Sequence, residues 1–273
     1  MIRPPAVAGR FYPGEPARLL ETVDSLLAPS SSEKKDDQKI SAIACMVPHA
    51  GYTYSGAVAA EVFRRIEIPA RVILIGPRHY PRGAPMAILS EGAWQTPLGL
   101  AQIDFQLAEK IASACPLLRE DSVAHSAEHS LEVQLPILQR LAPQVSFVPI
   151  VIASVPYENL ESLGRALAQV MLSESDPILL IASSDMNHYE SDAVTRVKDR
   201  KAIDCILALD PRGLYDTVRN EEISMCGYGA AVATLAAARE LGATHAELLR
   251  YATSGEVNGD LSEVVGYAGI VIG

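Results

Sequence analysis

Short apolar runs alternate along this chain with segments of helical periodicity. Five runs of strand length predict β-strands at Ile43–Val47, Val72–Ile75, Val145–Ile152, Ile178–Ala182 and Val264–Ile272. Helical spacing predicts helices over Ala57–Ile66, Phe105–Ala114, Leu131–Leu141, Leu160–Leu172, Ala193–Leu209 and Tyr228–Leu241. Strands that alternate with helices are typical of a sheet covered on both faces. The pattern predicts an α/β fold with a mixed, largely parallel sheet flanked by helices.

One stretch departs from this alternation. Residues 29–38 combine a serine run with Glu, Lys and Asp, a composition that buries little apolar area and predicts a flexible, solvated loop. The loop lies too close to the N-terminus to separate two domains, and the chain has no internal repeat. We therefore expect a single domain over residues 1–273.

Composition narrows the class of partner. The formal net charge is −10, whereas nucleic acids and anionic membranes are bound by clustered Lys and Arg. The apolar runs are too short to span a bilayer, and residues 1–13 lack the apolar core of a signal peptide. Four scattered cysteines do not make a secreted disulfide framework. We expect a cytoplasmic protein with no nucleic-acid or membrane partner.

Histidines collect just after predicted strands. His49 follows the first strand, His79 the second, and His188 the strand near residue 180. In open α/β sheets, ligands bind in the crevice at the carboxyl ends of the strands. The three imidazoles are therefore expected to converge. His245 follows a helix instead and is expected to be an ordinary exposed residue.

A second histidine pattern suggests a different chemistry. The segment from His125 to His129 matches the H-x-x-E-H motif of one class of zinc peptidases, with Glu128 as the candidate base. On a helix, both imidazoles would share one face. Ser126 and Ser130, however, favour a helix start over a helix interior. The zinc peptidase is therefore the weaker alternative.

Cys226 lies at the predicted start of the helix that begins near Tyr228. A helix N-terminus lowers the pKa of a thiol and favours the thiolate, which binds metals or attacks electrophiles. The alternative of equal weight is a small buried hydrophobic residue. That alternative is preferred for Cys45, Cys115 and Cys205, which lie inside apolar segments.

Several motifs occur in an order that identifies a family. They are RPPAVAGRFYP (3–13), PHAGYTYSG (48–56), GPRH (76–79), EHSLEVQLP (128–136), SSDMNH (183–188) and CG (226–227). With these motifs the chain resembles the Memo family, also called AmmeMemoRadiSam system protein B. The resemblance extends from Arg3 to the final strand.

The resemblance implies a fold similar to that of class III extradiol dioxygenase subunits, which hold Fe(II) by two histidines and a carboxylate. It implies that His49 and His79 are metal ligands and that Cys226 replaces the carboxylate. His188 takes the place of the base, and Asp185 orients His188 or a bound water. Because a thiolate is softer than a carboxylate, we expect one ion, Fe(II) first, with Cu(I) or Zn(II) as alternatives.

Four further residues are weaker candidates for the lining of the cleft. They are His129, Glu132, Tyr52 and Arg78. For His129 and Glu132, a structural hydrogen-bonding role has equal weight.

The expected function is that of a non-haem, dioxygenase-like oxidoreductase that acts on an unknown small molecule. One alternative is a non-catalytic adaptor that binds a peptide in a vestigial dioxygenase cleft, and another is an iron- or copper-handling protein. For bacterial members, the resemblance also implies a pathway link to a radical-SAM protein and an AMMECR1-like protein.

Overall fold

The computed structural model describes residues 1–29 and 39–273, so the predicted loop, apart from Pro29, lies outside the described residues. The strands are β1 Ile2–Arg3, β2 Ala44–Val47, β3 Arg71–Pro77, β4 Met86–Ile88, β5 Ala93–Thr96, β6 Gly99–Ile103, β7 Arg119–Glu120, β8 Ser146–Ile152, β9 Ile178–Ser183, β10 His188–Glu190, β11 Ala246–Thr253 and β12 Val264–Ile272. The α-helices are α1 Pro16–Leu27, α2 Ala57–Arg65, α3 Phe105–Ala114, α4 Ser122–His125, α5 Leu135–Leu141, α6 Tyr157–Ser173, α7 Asp192–Leu207, α8 Pro211–Asn220, α9 Tyr228–Glu240 and α10 Gly255–Asn258.

The twelve strands of the described residues form one sheet. Its centre consists of parallel strands in the order β6-β8-β3-β9-β2. Beyond β2, the strand β12 runs antiparallel and also pairs with β10 and β11. At the other edge, β5 is antiparallel to β6 and parallel to β1. The predicted α/β class, with a mixed and largely parallel sheet flanked by helices, is confirmed.

The central strands are apolar on both faces because each face carries its own hydrophobic core. Ile73 and Ile75 of β3 belong to the core beneath α3, α6 and α9, whereas Val72 and Leu74 belong to the core beneath α1, α2 and α5. Alternate residues of a strand point to opposite faces, so a strand buried twice is a continuous apolar run. Each fully buried aliphatic side chain contributes about 1.5–3 kcal/mol.

The helix predicted over Leu131–Leu141 is only partly correct. Glu132–Gln134 forms a 3₁₀ turn, and the α-helix begins at Leu135. Pro136 explains the boundary, because proline is tolerated in the first helical turn but breaks a helix interior. Within residues 1–29 and 39–273, no helix combines the length and apolarity that a membrane crossing demands.

Candidate metal centre

Three polar side chains meet at the carboxyl edge of the sheet. His49 lies two residues beyond β2, Asp185 two beyond β9, and His79 two beyond β3. Because β9 pairs with both β2 and β3, these three strand ends are neighbours. The parallel topology therefore brings together residues that lie far apart in sequence.

Cys226 approaches the same point from the start of α9. The next residue, Gly227, lies against β9, where an added Cβ would fall 2.4 Å from the Ser183 carbonyl oxygen and 2.6 Å from Ser184 Cβ. The Gly227 N–H donates to Ser184 Oγ at 3.0 Å. A side chain at residue 227 would push the backbone of Cys226 away from the strand.

The donor atoms of His49, His79 and Cys226 fit one metal ion. Their ligand atoms lie within 4.8 Å of one another, and Cys226 Sγ is 3.3 Å from His49 Nε2. In a tetrahedral zinc site, the bond lengths place sulfur and nitrogen ligands about 3.5 Å apart. The set of two imidazoles and one thiol is therefore compatible with a borderline-soft ion.

Both imidazoles are held through Nδ1, which leaves Nε2 for a metal. His49 Nδ1 lies 2.9 Å from Ser183 Oγ, and His79 Nδ1 lies 2.8 Å from Glu128 Oε1. Glu128 is fully buried and also accepts from the His79 backbone N–H at 2.6 Å. Histidines that bind a metal through one ring nitrogen usually donate the N–H of the other to an acceptor such as a carboxylate.

Burial sets the protonation of these groups. It lowers the pKa of His49 to about 3, with a further lowering by His79, so this imidazole is neutral as a ligand must be. Burial opposes ionisation of Glu128, but the hydrogen bond and charge of His79 outweigh it and hold the Glu128 pKa well below its usual range.

The expectation of a lowered thiol pKa at Cys226 is wrong for the protein alone. Burial, followed by the charge of Asp185, raises the pKa of Cys226 well above the usual thiol value. The helix N-terminus is too weak to offset removal of the thiolate from water. A metal cation at the sulfur would reverse this balance.

A cavity of about 430 Å³ lies over the three donors. Its polar lining includes His49, His79, His129, Asp185, His188, Ser224 and Cys226. Its walls include Phe11, Tyr189 and Val265. The volume lies in the range of small-molecule sites, and a few polar groups within an apolar wall are typical of them.

His188 is oriented by Ser224. Its Nδ1 lies 3.0 Å from the Ser224 carbonyl oxygen, and its backbone N–H donates to Ser224 Oγ at 2.7 Å. Asp185 instead accepts from the backbone N–H groups of His49 and Ala50, at 2.7 and 3.3 Å. Asp185 Oδ1 thus fixes the turn that carries His49. The ligand atoms of Asp185, His188 and Cys226 also lie within 4.8 Å of one another, and a role of Asp185 in orienting His188 or a bound water stays a prediction. Burial raises the pKa of Asp185.

His129 and Arg78 lie next to the donors in different cavities. The His129 ring stacks on His79 with ring centroids 4.5 Å apart, and it makes an edge contact with Phe11 at a centroid distance of 4.8 Å. Arg78 lines a smaller cavity of about 230 Å³ that shares His79 and Cys226 with the main one.

Glu132 and Tyr52 do not line the cleft, so those two expectations are corrected. Both are buried. Glu132 accepts hydrogen bonds from Arg3 and Tyr12, and the Tyr52 hydroxyl donates to the Val133 carbonyl at 2.8 Å. The Glu132 carboxylate therefore attaches the N-terminal segment to the fold, and the Tyr52 hydroxyl bonds to the 3₁₀ turn.

The zinc-peptidase geometry is not formed. The helix α4 ends at His125, so His125 and His129 do not share a helical face. His125 is fully buried against Trp94, with ring centroids 5.8 Å apart. Among the described residues, no group of potential metal ligands includes His125.

Sequence analysis missed several residues that complete the site. Ser183 contacts His49 and Ser224 contacts His188, whereas Phe11 and Tyr189 form walls of the cavity. Phe11 and Ser183 lie in motifs that indicate the family. No spacing pattern, however, identifies a serine as the hydrogen-bond partner of a histidine or an aromatic residue as part of a cavity wall.

A mixed α/β sheet with two histidines and one cysteine at its carboxyl edge defines a single-domain protein with a candidate mononuclear metal centre. A family model described as Memo-like protein matches residues 3–271, and the chain belongs to this family.

Relatives cover the whole length of the chain. A MEMO1 family protein of Methanopyrus kandleri is 39% identical over 279 residues, which cover 99% of each chain. A MEMO1 family protein of Aquifex aeolicus is 43% identical over 271 residues, covering 99% of this chain and 98% of the relative. The crystal structure of an uncharacterized protein from Escherichia coli K12 shares the fold, with a TM-score of 0.52 and 16% identity, over 82% of this chain and 98% of that one.

Proposed function

We propose that this chain binds one metal ion, Fe(II) in the first place, and acts as a non-haem, dioxygenase-like oxidoreductase on a small molecule. His49, His79 and Cys226 would supply the ligands. The observation that carries the proposal is the convergence of their donor atoms within 4.8 Å beneath a cavity of about 430 Å³.

The donor chemistry selects among metals. Two imidazoles and a thiolate favour Fe(II), Cu(I) or Zn(II) over the oxygen-preferring ions Mg²⁺ and Ca²⁺. A redox-active ion at this position would supply Lewis acidity and electron transfer to a bound ligand. Three protein ligands beneath a cavity leave room for such a ligand, as catalytic sites do.

The surrounding residues have separate tasks in this proposal. His188 is held at Nδ1 by Ser224, which leaves Nε2 to accept a proton from a ligand in the cavity. Phe11 and His129 form one wall of the cavity beside the donors. Asp185 keeps the backbone of His49 in place through two hydrogen bonds.

Elemental analysis of anaerobically purified protein tests the metal site. We expect near-stoichiometric metal in the wild type and its loss in His49→Ala and Cys226→Ala. The controls are His245→Ala and Cys205→Ala, which alter an exposed histidine and a half-buried cysteine outside the site. A protein that stays metal-free after reconstitution with Fe(II), Cu(I) and Zn(II) would contradict the proposal and favour the adaptor alternative.

Oxygen uptake then tests the oxidoreductase. The Fe(II)-loaded protein is screened for oxygen consumption with small-molecule candidates, beside His188→Ala. Substrate-dependent uptake that collapses in the variant supports catalysis with His188 as the base. Tight, stoichiometric metal without substrate-dependent uptake would favour iron or copper handling.

A further inference from the structure

A fully buried hydroxyl and amide lie directly behind His49. The hydroxyl of Ser183, at the end of β9, and the amide of Gln134, in the 3₁₀ turn, have no exposed surface. Ser183 Oγ makes three contacts: 2.7 Å to the Ser130 carbonyl oxygen, 3.0 Å to Gln134 Nε2, and 2.9 Å to His49 Nδ1.

These three contacts determine where the protons lie. A serine hydroxyl has one hydrogen and two lone pairs. The Ser130 carbonyl can only accept, so it takes the Ser183 hydrogen, and Gln134 Nε2 donates to one lone pair. The remaining lone pair faces His49 Nδ1, which must therefore carry a hydrogen.

The side-chain amide of Gln134 is oriented so that its nitrogen donates two hydrogen bonds while its oxygen is left unpaired among the described residues. Its amide nitrogen gives one hydrogen to the Pro48 carbonyl at 2.9 Å and the other to Ser183. Within the described part of the chain, its buried Oε1 has no hydrogen-bond partner. Turning the amide over would set that oxygen against the Pro48 carbonyl oxygen. A buried polar atom left unpaired in this way calls for a reason.

We infer that Ser183 and Gln134 are positioning residues that hold His49 in the Nδ1–H tautomer. The lone pair of Nε2 then faces Cys226 Sγ, 3.3 Å away. This inference rests on the proposed metal site for its purpose, because a histidine ligand needs an unprotonated nitrogen toward the ion.

The two histidines reach this state by different means. At His79 the partner is the carboxylate of Glu128. An ionised carboxylate can only accept a hydrogen bond, so no further residue is needed to set its direction. At His49 the partner is a hydroxyl, which can also rotate and donate. Ser130 and Gln134 remove that freedom, because one accepts the hydroxyl hydrogen and the other occupies a lone pair.

Imidazole ¹⁵N NMR of the metal-free protein tests the tautomer directly. We expect wild-type His49 to be protonated at Nδ1 alone. Ser183→Ala and Gln134→Met should each give a mixture of the two tautomers. Thr234→Val is the control, because it removes a buried hydroxyl of α9 that has no hydrogen-bond partner among residues 1–29 and 39–273. It should leave His49 unchanged.

Competition with a chromophoric chelator for Zn(II) gives the second readout. We expect about 10–100-fold weaker Zn(II) binding in Ser183→Ala and Gln134→Met, and wild-type binding in Thr234→Val. A wild-type His49 protonated at Nε2 would overturn the inference even if metal binds. If His49 keeps the Nδ1–H tautomer alone in Gln134→Met, Gln134 is not a positioning residue. Absence of metal binding to the wild type, with the tautomer as expected, would count against the proposed function and leave the positioning intact.

Discussion

Glu132→Gln is expected to destabilise the fold although Glu132 belongs to none of the groups of potential metal ligands found among the described residues. The Glu132 carboxylate is fully buried and accepts four hydrogen bonds from the N-terminal segment. Oε2 accepts from Arg3 Nη1 at 2.6 Å and from the Ala6 N–H at 2.8 Å. Oε1 accepts from the Val7 N–H at 3.0 Å and from the Tyr12 hydroxyl at 2.7 Å.

The substitution replaces one of these oxygens by an NH₂ group that faces two donors. It also removes the counter-charge of Arg3, which is 7% exposed. Breaking a buried ion pair from one side costs about 3–5 kcal/mol. Arg3 keeps two carbonyl acceptors, those of His125 and Glu128. We therefore expect the lower end, about 3 kcal/mol, which is a large share of a total stability of about 5–15 kcal/mol.

Thermal and urea unfolding measure this loss. With about 2–4 °C per kcal/mol in a large domain, the Tm should fall by roughly 6–12 °C. Asp24→Asn is the matched control, because the Asp24–Arg140 pair has the same 2.6 Å separation but is almost half exposed on both sides. Exposed pairs contribute at most about 1 kcal/mol.

Equal and small losses in Glu132→Gln and Asp24→Asn would refute this reasoning, since the buried network would then add nothing beyond a surface pair. A large loss has a consequence for the cleft as well. The same segment carries Phe11, whose carbonyl accepts from the Tyr52 N–H at 2.7 Å and whose ring covers His129.

Three further outcomes are expected. His188→Ala should retain the metal by elemental analysis, and loss of metal would make His188 a ligand. Burial raises the pKa of Asp199 from 3.8 to about 6, so the folded state binds the proton more tightly than the unfolded state. The contribution of Asp199 to the free energy of unfolding should therefore fall by about 3 kcal/mol as the pH rises from 4 through 6. Urea unfolding measures it as the difference between wild type and Asp199→Asn, and a difference that does not change with pH would contradict it. Tyr189 has φ 63° and is 76% exposed. Relief of this left-handed strain in Tyr189→Asn should raise stability by about 1 kcal/mol, and a lowered Tm would contradict it.

Local patterns were sufficient where a single periodicity dominates. The helix Phe105–Ala114 and the strand Val264–Ile272 have the predicted bounds, because one has a clear amphipathic stripe and the other is a continuous apolar run. The helix Pro211–Asn220 was missed because Gly213 lowers its helix propensity. Its start was nevertheless readable, since Asp210 precedes a proline and its Oδ1 accepts from the Gly213 N–H at 2.9 Å. Short edge strands such as Met86–Ile88 were also missed, because their pairing partners are distant in sequence.

The sequence by itself determined the family, the fold class and the strand-end positions of His49, His79 and Asp185. Motifs and apolar periodicity are properties of short consecutive segments, so they can be read without the structure. Only the tertiary structure decided their electrostatic state. The pairing of His79 with Glu128, the contact of His49 with Ser183 and the raised pKa of Cys226 arise between separate segments. Burial and Coulomb interactions depend on distance in space, so no local pattern specifies them.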